Sequence, residues 1–124
     1  MSRKPELMTN PITNRGTAFT RAERLEHGMI GRLPAAVETL EQQAQRCYRQ
    51  LQGLGCNIDR YVFLEELQNR NETLYYKLLV DHLVELLPVI YDPTVGEAIK
   101  KWSHAYRRSR AVYLSVDHIE DVRP

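Results

Sequence analysis

Apolar residues recur at helical spacing along much of the chain, and the widest apolar face lies between residues 72 and 87. Leucines stand at 74, 78, 79, 83, 86 and 87, and Tyr75, Tyr76, Val80 and Val84 broaden that face. This period of about 3.6 residues predicts one helix from Glu72 to about Leu87, capped by Asn71. A face this wide contacts two neighbours, so we expect this helix to be the most buried.

Two capping boxes predict the starts of two earlier helices. Thr20 with Glu23, and Thr39 with Gln42, have the spacing at which two side chains satisfy each other's helix-end donors. The first helix is short and ends near Gly28. The second extends to about residue 52 with only a thin apolar stripe, so one of its faces meets water.

A third helix begins at Asn57 or Asp59 and breaks near residues 69–71. Before these helices, residues 1–19 show no apolar periodicity, and we predict an extended arm that gains order by lying on the rest of the chain. We expect residues 20–124 to form the folded domain. Residues 111–116 alternate and read as one short strand. The predicted fold is mainly α, about five helices with a short C-terminal β-strand.

The long helix and the last one meet at a sharp corner. Pro88 removes a backbone donor and is predicted to end the long helix. The next helix begins either with Asp92 as cap and Pro93 in the first turn, or with Thr94 as cap and Glu97 as its box partner. It continues to about residue 107.

Tyr91 is thereby predicted to stand immediately outside a helix N-terminus. Partial positive charge gathers there and anions bind readily, so a phenol at this point can reach a bound carboxylate or its reacting carbon. The alternative interpretation is a packed aromatic at a tight corner.

Composition narrows the class of function. The chain has 124 residues, 27% charged residues and a net charge of +1, which gives no electrostatic footprint for nucleic acid or an anionic membrane. No apolar run approaches the roughly 20 residues of a membrane span, and the N-terminus lacks the apolar core of a secretory signal. Cys47 and Cys56 fit no zinc or redox spacing, so we expect reduced thiols and a cytoplasmic protein.

The corner sequence Pro88-Val89-Ile90-Tyr91-Asp92-Pro93-Thr94-Val95-Gly96 resembles the signature of the malic enzymes. Further stretches resemble that family in the same order along residues 10–118: Asn14-Arg15-Gly16-Thr17-Ala18-Phe19-Thr20, Leu33-Pro34 with Glu38-Thr39-Leu40-Glu41-Gln42-Gln43, Gln68-Asn69-Arg70-Asn71-Glu72-Thr73-Leu74-Tyr75-Tyr76, Tyr106-Arg107-Arg108 and Val112-Tyr113-Leu114-Ser115.

This resemblance implies part of the N-terminal domain of a malic enzyme. The family oxidises malate to pyruvate and carbon dioxide with NAD or NADP and Mg²⁺ or Mn²⁺. Hydride transfer comes first, decarboxylation gives an enolate, and the enol carbon is then protonated. By resemblance Tyr91 is the general acid of that last step. The domain also supplies dimer contacts, which implies a homo-oligomer, a dimer or a tetramer, and a mitochondrial matrix location becomes an alternative to the cytoplasm. Asp92 departs from the family, which usually has threonine there.

The resemblance also points to an effector site. Some animal mitochondrial malic enzymes are activated by fumarate bound through a glutamine and two arginines, and Gln43, Arg46 and Arg70 stand at the matching positions. Arginine suits a dicarboxylate because its planar fork pairs bidentately. The alternative is a pair of ordinary solvated arginines.

The family's lysine base, metal ligands and glycine-rich dinucleotide site find no counterpart in this sequence, and its four histidines stand on unrelated elements. We therefore expect no cofactor site in this chain and no activity by itself. Two alternatives stay open: a stand-alone, non-catalytic helical interaction module derived from malic enzyme, and part of a malolactic enzyme. The sequence does not choose between NAD and NADP.

Overall fold

A computed structural model describes residues 3–101 of the chain. The helices are α1 (Glu6–Thr9), α2 (Arg21–Glu26), α3 (Leu40–Gln52), α4 (Asn57–Arg70), α5 (Glu72–Asp81), α6 (Leu83–Ile90) and α7 (Thr94–Lys100), with a 3₁₀ turn at Gly16–Ala18. The mainly helical class is as predicted, and residues 3–101 contain no strand. The strand predicted at 111–116 and the last part of the predicted final helix lie outside the described residues.

Both capping boxes are confirmed. The hydroxyl of Thr20 accepts from the backbone N–H of Glu23, whose carboxylate accepts from the backbone N–H of Thr20, and Thr39 and Gln42 form the same pair at the start of α3. Only the side of α3 that carries Gln43, Ala44, Cys47 and Leu51 is buried. The predicted wet face of this helix is therefore confirmed.

The predicted cap of α4 was wrong. Cys56 stands at the cap position without a side-chain hydrogen bond, and Asn57 is the first helical residue. The Asn57 side chain instead accepts from the guanidinium of Arg60 at 2.9 Å. Arg60 also donates to the carbonyl oxygen of Leu54 at 3.0 Å, so these residues join the end of α3 to the start of α4.

The long helix predicted from residue 72 to 87 is two helices. Asn71 caps α5 as predicted, but the chain leaves helical geometry at His82 before α6 begins. The imidazole of His82 lies flat on the ring of Tyr48 in α3, with ring centroids 3.7 Å apart. Because the apolar spacing continues across this break, the pattern could not reveal it.

The predicted burial of this region was also wrong in part. Leu74, Tyr75 and Leu78 of α5 and Leu86 and Val89 of α6 are buried in a core shared with α3 and α4. The second apolar side is exposed, and Val84 is 90% accessible. We call the residues of this side the apolar stripe: Tyr76, Val80, Leu83, Val84 and Leu87.

The N-terminal segment contains one helical turn and a 3₁₀ turn where extended chain was predicted. It does lie on the rest of the chain. The carbonyl oxygen of Pro11 accepts from the backbone N–H of Glu72 at 2.9 Å, and the Asn14 amide donates to the carbonyl oxygen of Arg70 at 3.0 Å. Met8, Phe19 and Met29 form a second small core beneath it.

Candidate functional site

Tyr91 stands at the corner between α6 and α7. Pro88 does not end α6 as predicted, because it lies inside the helix, which continues to Ile90. The backbone N–H of Tyr91 donates to the carbonyl oxygen of Leu87 at 3.0 Å and closes the helix. Tyr91 is therefore the residue that follows α6, and it is not adjacent to the first residue of α7.

The start of α7 also differs from both predicted alternatives. Pro93 occupies the cap position, and neither Asp92 nor Thr94 caps the helix with its side chain. The backbone N–H of Val95 donates to the carbonyl oxygen of Tyr91 at 2.9 Å, so the corner is closed by the main chain on both sides of the tyrosine.

The side chain of Tyr91 faces outward. The residue is 65% accessible, and its hydroxyl makes no hydrogen bond within residues 3–101. The packed-aromatic interpretation of Tyr91 is therefore wrong for the described part of the chain. The phenol is presented at a surface by a corner whose backbone is fixed.

The three residues predicted to bind an effector line one cavity of about 290 Å³. Gln43 and Arg46 reach it from α3, and Arg70 reaches it from the end of α4. Lys4 and Arg32 line the same cavity, and none of its lining residues is acidic. Four cationic side chains around one small space favour a ligand with more than one negative charge.

Gln43 is the fixed element of this cavity. It is only 2% accessible, and its amide nitrogen donates to the carbonyl oxygen of Arg15 at 2.8 Å and to the hydroxyl of Thr17 at 3.1 Å. Gly16, between them, has φ +51°, a left-handed conformation that glycine adopts without steric cost. The turn at residues 15–17 is thus built around the buried amide.

Arg46 forms an ion pair with Glu38. Two contacts join the guanidinium and the carboxylate, at 3.0 Å and 3.3 Å. The carboxylate also accepts from the hydroxyl of Thr17 at 2.6 Å. The hydrogen bond from Thr17, followed by that from Arg46, lowers the pKa of Glu38. Arg70, by contrast, is exposed, and residues 3–101 offer its guanidinium no carboxylate.

Sequence reasoning missed Arg24, which organises one wall of this region. It is 3% accessible and donates to the carbonyl oxygens of Phe19 at 2.8 Å, Pro34 at 2.7 Å and Thr17 at 2.9 Å. Its partners are backbone atoms, so no sequence pattern marks it. Sequence reasoning also missed Lys4 and Arg32, which line the cavity from segments without a motif.

No group of three His, Cys, Asp or Glu side chains within residues 3–101 is placed to hold a metal ion.

None of the helices in that range has the length and apolar character needed to cross a bilayer.

Comparison with known proteins gives one consistent family. The sequence profile described as "Malic enzyme, N-terminal domain" matches residues 68–124, a range that includes the Tyr91 corner and Arg70. The NAD-dependent malic enzyme of Aeromonas hydrophila is 46% identical over 121 residues, 95% of this chain and 22% of that protein. The enzyme of the same name from Sodalis glossinidius is 48% identical over 121 residues, 95% of this chain and 21% of that protein.

A third relative is the NAD-dependent malic enzyme of an Enterobacter species, which is 46% identical over 114 residues, 92% of this chain and 20% of that protein. The chain thus spans about a fifth of the length of the curated relatives it matches. Since the domain profile and the relatives agree, the chain belongs to the malic enzyme family, whose N-terminal domain it matches.

Proposed function

We propose that this chain forms the N-terminal part of an enzyme that decarboxylates malate oxidatively to pyruvate, and that Tyr91 is the general acid of the reaction. The observation that carries the proposal is the corner between α6 and α7. It has the signature sequence of the family, and it holds an exposed tyrosine with its hydroxyl unpartnered in the described chain.

The role of Tyr91 follows from the chemistry of its phenol. A tyrosine hydroxyl carries a proton at neutral pH and can donate it. Loss of carbon dioxide leaves the enolate of pyruvate, whose terminal carbon needs one proton to become the methyl group. We assign that proton transfer to the hydroxyl of Tyr91. An opposing surface is needed to bring the substrate carbon within proton-transfer distance of this hydroxyl.

The remaining chemistry belongs to other parts of the enzyme. The relatives are named NAD-dependent malic enzymes, so NAD is the cofactor we propose for the complete enzyme, together with a divalent metal. Within residues 3–101 no group of three His, Cys, Asp or Glu side chains is placed to hold a metal ion, and the sequence has no Gly-x-Gly-x-x-Gly stretch. We therefore expect the chain alone, with malate, NAD or NADP and Mn²⁺, to give no turnover.

The experiment uses a fused enzyme in which this chain replaces the matching 22% of the Aeromonas hydrophila enzyme. We expect malate-dependent reduction of NAD by the fused enzyme, and a loss of about 10² to 10⁴ in kcat for Tyr91→Phe, the range of general acid catalysis. Tyr76→Phe, at an exposed tyrosine of α5, is the control and keeps its kcat. Equal kcat for Tyr91→Phe and the control would exclude Tyr91 as the acid.

We also propose that the basic cavity binds a small dicarboxylate effector such as fumarate. The support is the convergence of Gln43, Arg46 and Arg70 on one cavity without an acidic lining residue. Arg70→Ala in the fused enzyme is expected to abolish the response to fumarate, while Arg49→Ala, on α3 but outside the cavity, leaves it intact. An unchanged response in Arg70→Ala removes the effector assignment.

The apolar stripe supports a homo-oligomer as the assembled form. Val80 of α5 is 76% accessible and Val84 of α6 is 90% accessible, so both helices present large apolar side chains to water. The non-catalytic interaction module is the second candidate function, and the same stripe favours it. Val84→Glu is expected to dissociate the oligomer in sedimentation, with Glu41→Gln, at an exposed position on α3, as the control.

A further inference from the structure

We propose that Thr94 is a positioning residue for Tyr91, a role that rests on the proposed function of Tyr91 as the acid. Thr94 is the first residue of α7, yet it is 1% accessible. Its hydroxyl donates to the carbonyl oxygen of Pro88 in α6 at 2.6 Å. The hydroxyl therefore serves the preceding helix, although the sequence offers it as a cap for its own.

The bond has a specific effect at the end of α6. Pro88 is the third residue from the end of this helix, so its carbonyl belongs to the last turn, which has no helical partner. Thr94 supplies the missing donor from across the corner. Tyr91 lies midway between the two residues, so the loop that the bond closes has the tyrosine at its centre.

The main chain alone leaves the corner less defined. The bonds from Tyr91 to Leu87 and from Val95 to Tyr91 fix each helix against the tyrosine, but neither joins α6 to α7 directly. Within residues 3–101, the Thr94 hydrogen bond is the one side-chain bond that spans the corner. Because it joins the two helices, it restrains the angle between them.

Thr94 is itself anchored. Ala98, one turn further along α7, is also 1% accessible, so this face of α7 is buried where α7 packs on α4 and α6. A β-branched side chain has few rotamers, and burial leaves it fewer. The core therefore fixes Thr94, and Thr94 fixes the end of α6.

This arrangement matters because, among residues 3–101, Tyr91 is held by hydrogen bonds of its backbone alone. Its ring is exposed and its hydroxyl is unpartnered in the described chain, so the direction of its Cα–Cβ bond comes from the corner backbone. A displacement of about 1 Å at a reacting group can lower a rate by a factor of about 10². Loss of the Thr94 bond thus acts on catalysis without contact with the substrate.

The first test compares three variants of the fused enzyme. Thr94→Val keeps the shape and removes the hydroxyl, and we expect kcat to fall about 10- to 100-fold while the KM for malate changes less than about twofold. Thr94→Ser keeps the hydroxyl and is expected to hold kcat within about threefold. Thr39→Val, at the capping threonine of α3, is the control for loss of a threonine hydroxyl elsewhere. Retention of kcat by Thr94→Val, or an equal fall in the serine variant, overturns the proposal.

The second test needs no catalysis: it measures hydrogen exchange at the corner in the 124-residue chain itself. Hydrogen exchange of the Val95 amide is expected to quicken about tenfold or more in Thr94→Val and to stay unchanged in Thr94→Ser. Thr94→Ala replaces the valine variant if that one does not fold. Unchanged exchange in both hydroxyl-free variants contradicts the role of Thr94, whatever the activity of Tyr91→Phe. If Tyr91→Phe keeps its turnover while exchange responds as expected, the acid assignment alone has failed.

Discussion

The basic cavity and the Tyr91 corner are built in opposite ways. In the cavity, side chains hold one another: Gln43 is buried with two hydrogen bonds, and Glu38 binds both Thr17 and Arg46. At the corner the tyrosine side chain touches no polar partner within the described residues, and its position comes from the backbone. Hydrogen bonds among the described residues therefore organise the cavity, whereas the tyrosine side chain has no polar contact among them and needs an opposing surface.

If that contrast is correct, the largest loss of stability follows removal of the cation that supports the cavity wall. Arg24→Met keeps most of the buried volume but leaves the carbonyl oxygens of Phe19, Pro34 and Thr17 without their donor. We expect a loss of about 2–4 kcal/mol in the free energy of unfolding, measured with urea. Arg21→Met, at an exposed site of the same helix, is the control and should change it by less than about 0.5 kcal/mol. Equal effects of the two variants would show that the wall does not depend on Arg24.

A smaller effect compares the two sites directly. Gln43→Leu leaves the carbonyl oxygen of Arg15 without its 2.8 Å donor, so we expect a loss of about 1–3 kcal/mol. Tyr91→Phe removes a hydroxyl that has no partner in the described chain, so the expected change is within about 0.5 kcal/mol. Urea unfolding of both variants measures the difference. A larger loss for the tyrosine variant would reverse the comparison.

The smallest expected effect is on the pH dependence of folding stability. The pKa of Glu38 lies below its ordinary value of 4.5, first because Thr17 donates to the carboxylate and then because Arg46 does. A lowered pKa means that the ionised carboxylate stabilises the fold above pH 4.5, and that this contribution disappears as pH falls through the pKa of the folded state. Solvent screens this partly exposed pair, so the contribution is small.

Glu38→Gln is expected to flatten the dependence of stability on pH below 4.5 and to leave the curve above pH 6 parallel to that of the original chain. Glu41→Gln, at an exposed site in the first turn of α3, serves as the control. Thermal unfolding between pH 3 and pH 7 measures both. An unchanged slope in Glu38→Gln would mean that the Glu38 pair does not hold the cavity.

The sequence predicted best those features that depend on a few adjacent residues. Both capping boxes and the Asn71 cap need only neighbours three residues away, and all are found in the structure. The break at His82 was missed because the apolar spacing continues across it, and the His82 ring stacks on Tyr48, a residue of another helix. Long-range contacts of this kind leave no local pattern.

The candidate site residues show the same difference between local patterns and long-range contacts. Tyr91, Gln43, Arg46 and Arg70 were predicted because the chain resembles a family, and the structure brings the last three to one cavity. Helix periodicity alone could not have joined α3 to the end of α4. Arg24 and Thr94 were not recognised as site residues because their hydrogen-bond acceptors are backbone carbonyls, which are identical at every position.

Exchange of the methyl protons of pyruvate with D₂O, followed by NMR in the fused enzyme with its cofactors present, tests the central claim most directly. The group that protonates the enol carbon must also remove that proton in the reverse direction, so exchange reports the acid itself. We expect the fused enzyme to exchange these protons and Tyr91→Phe to do so at least about 10²-fold more slowly. Equal exchange rates in the two enzymes would contradict the assignment of Tyr91 as the general acid.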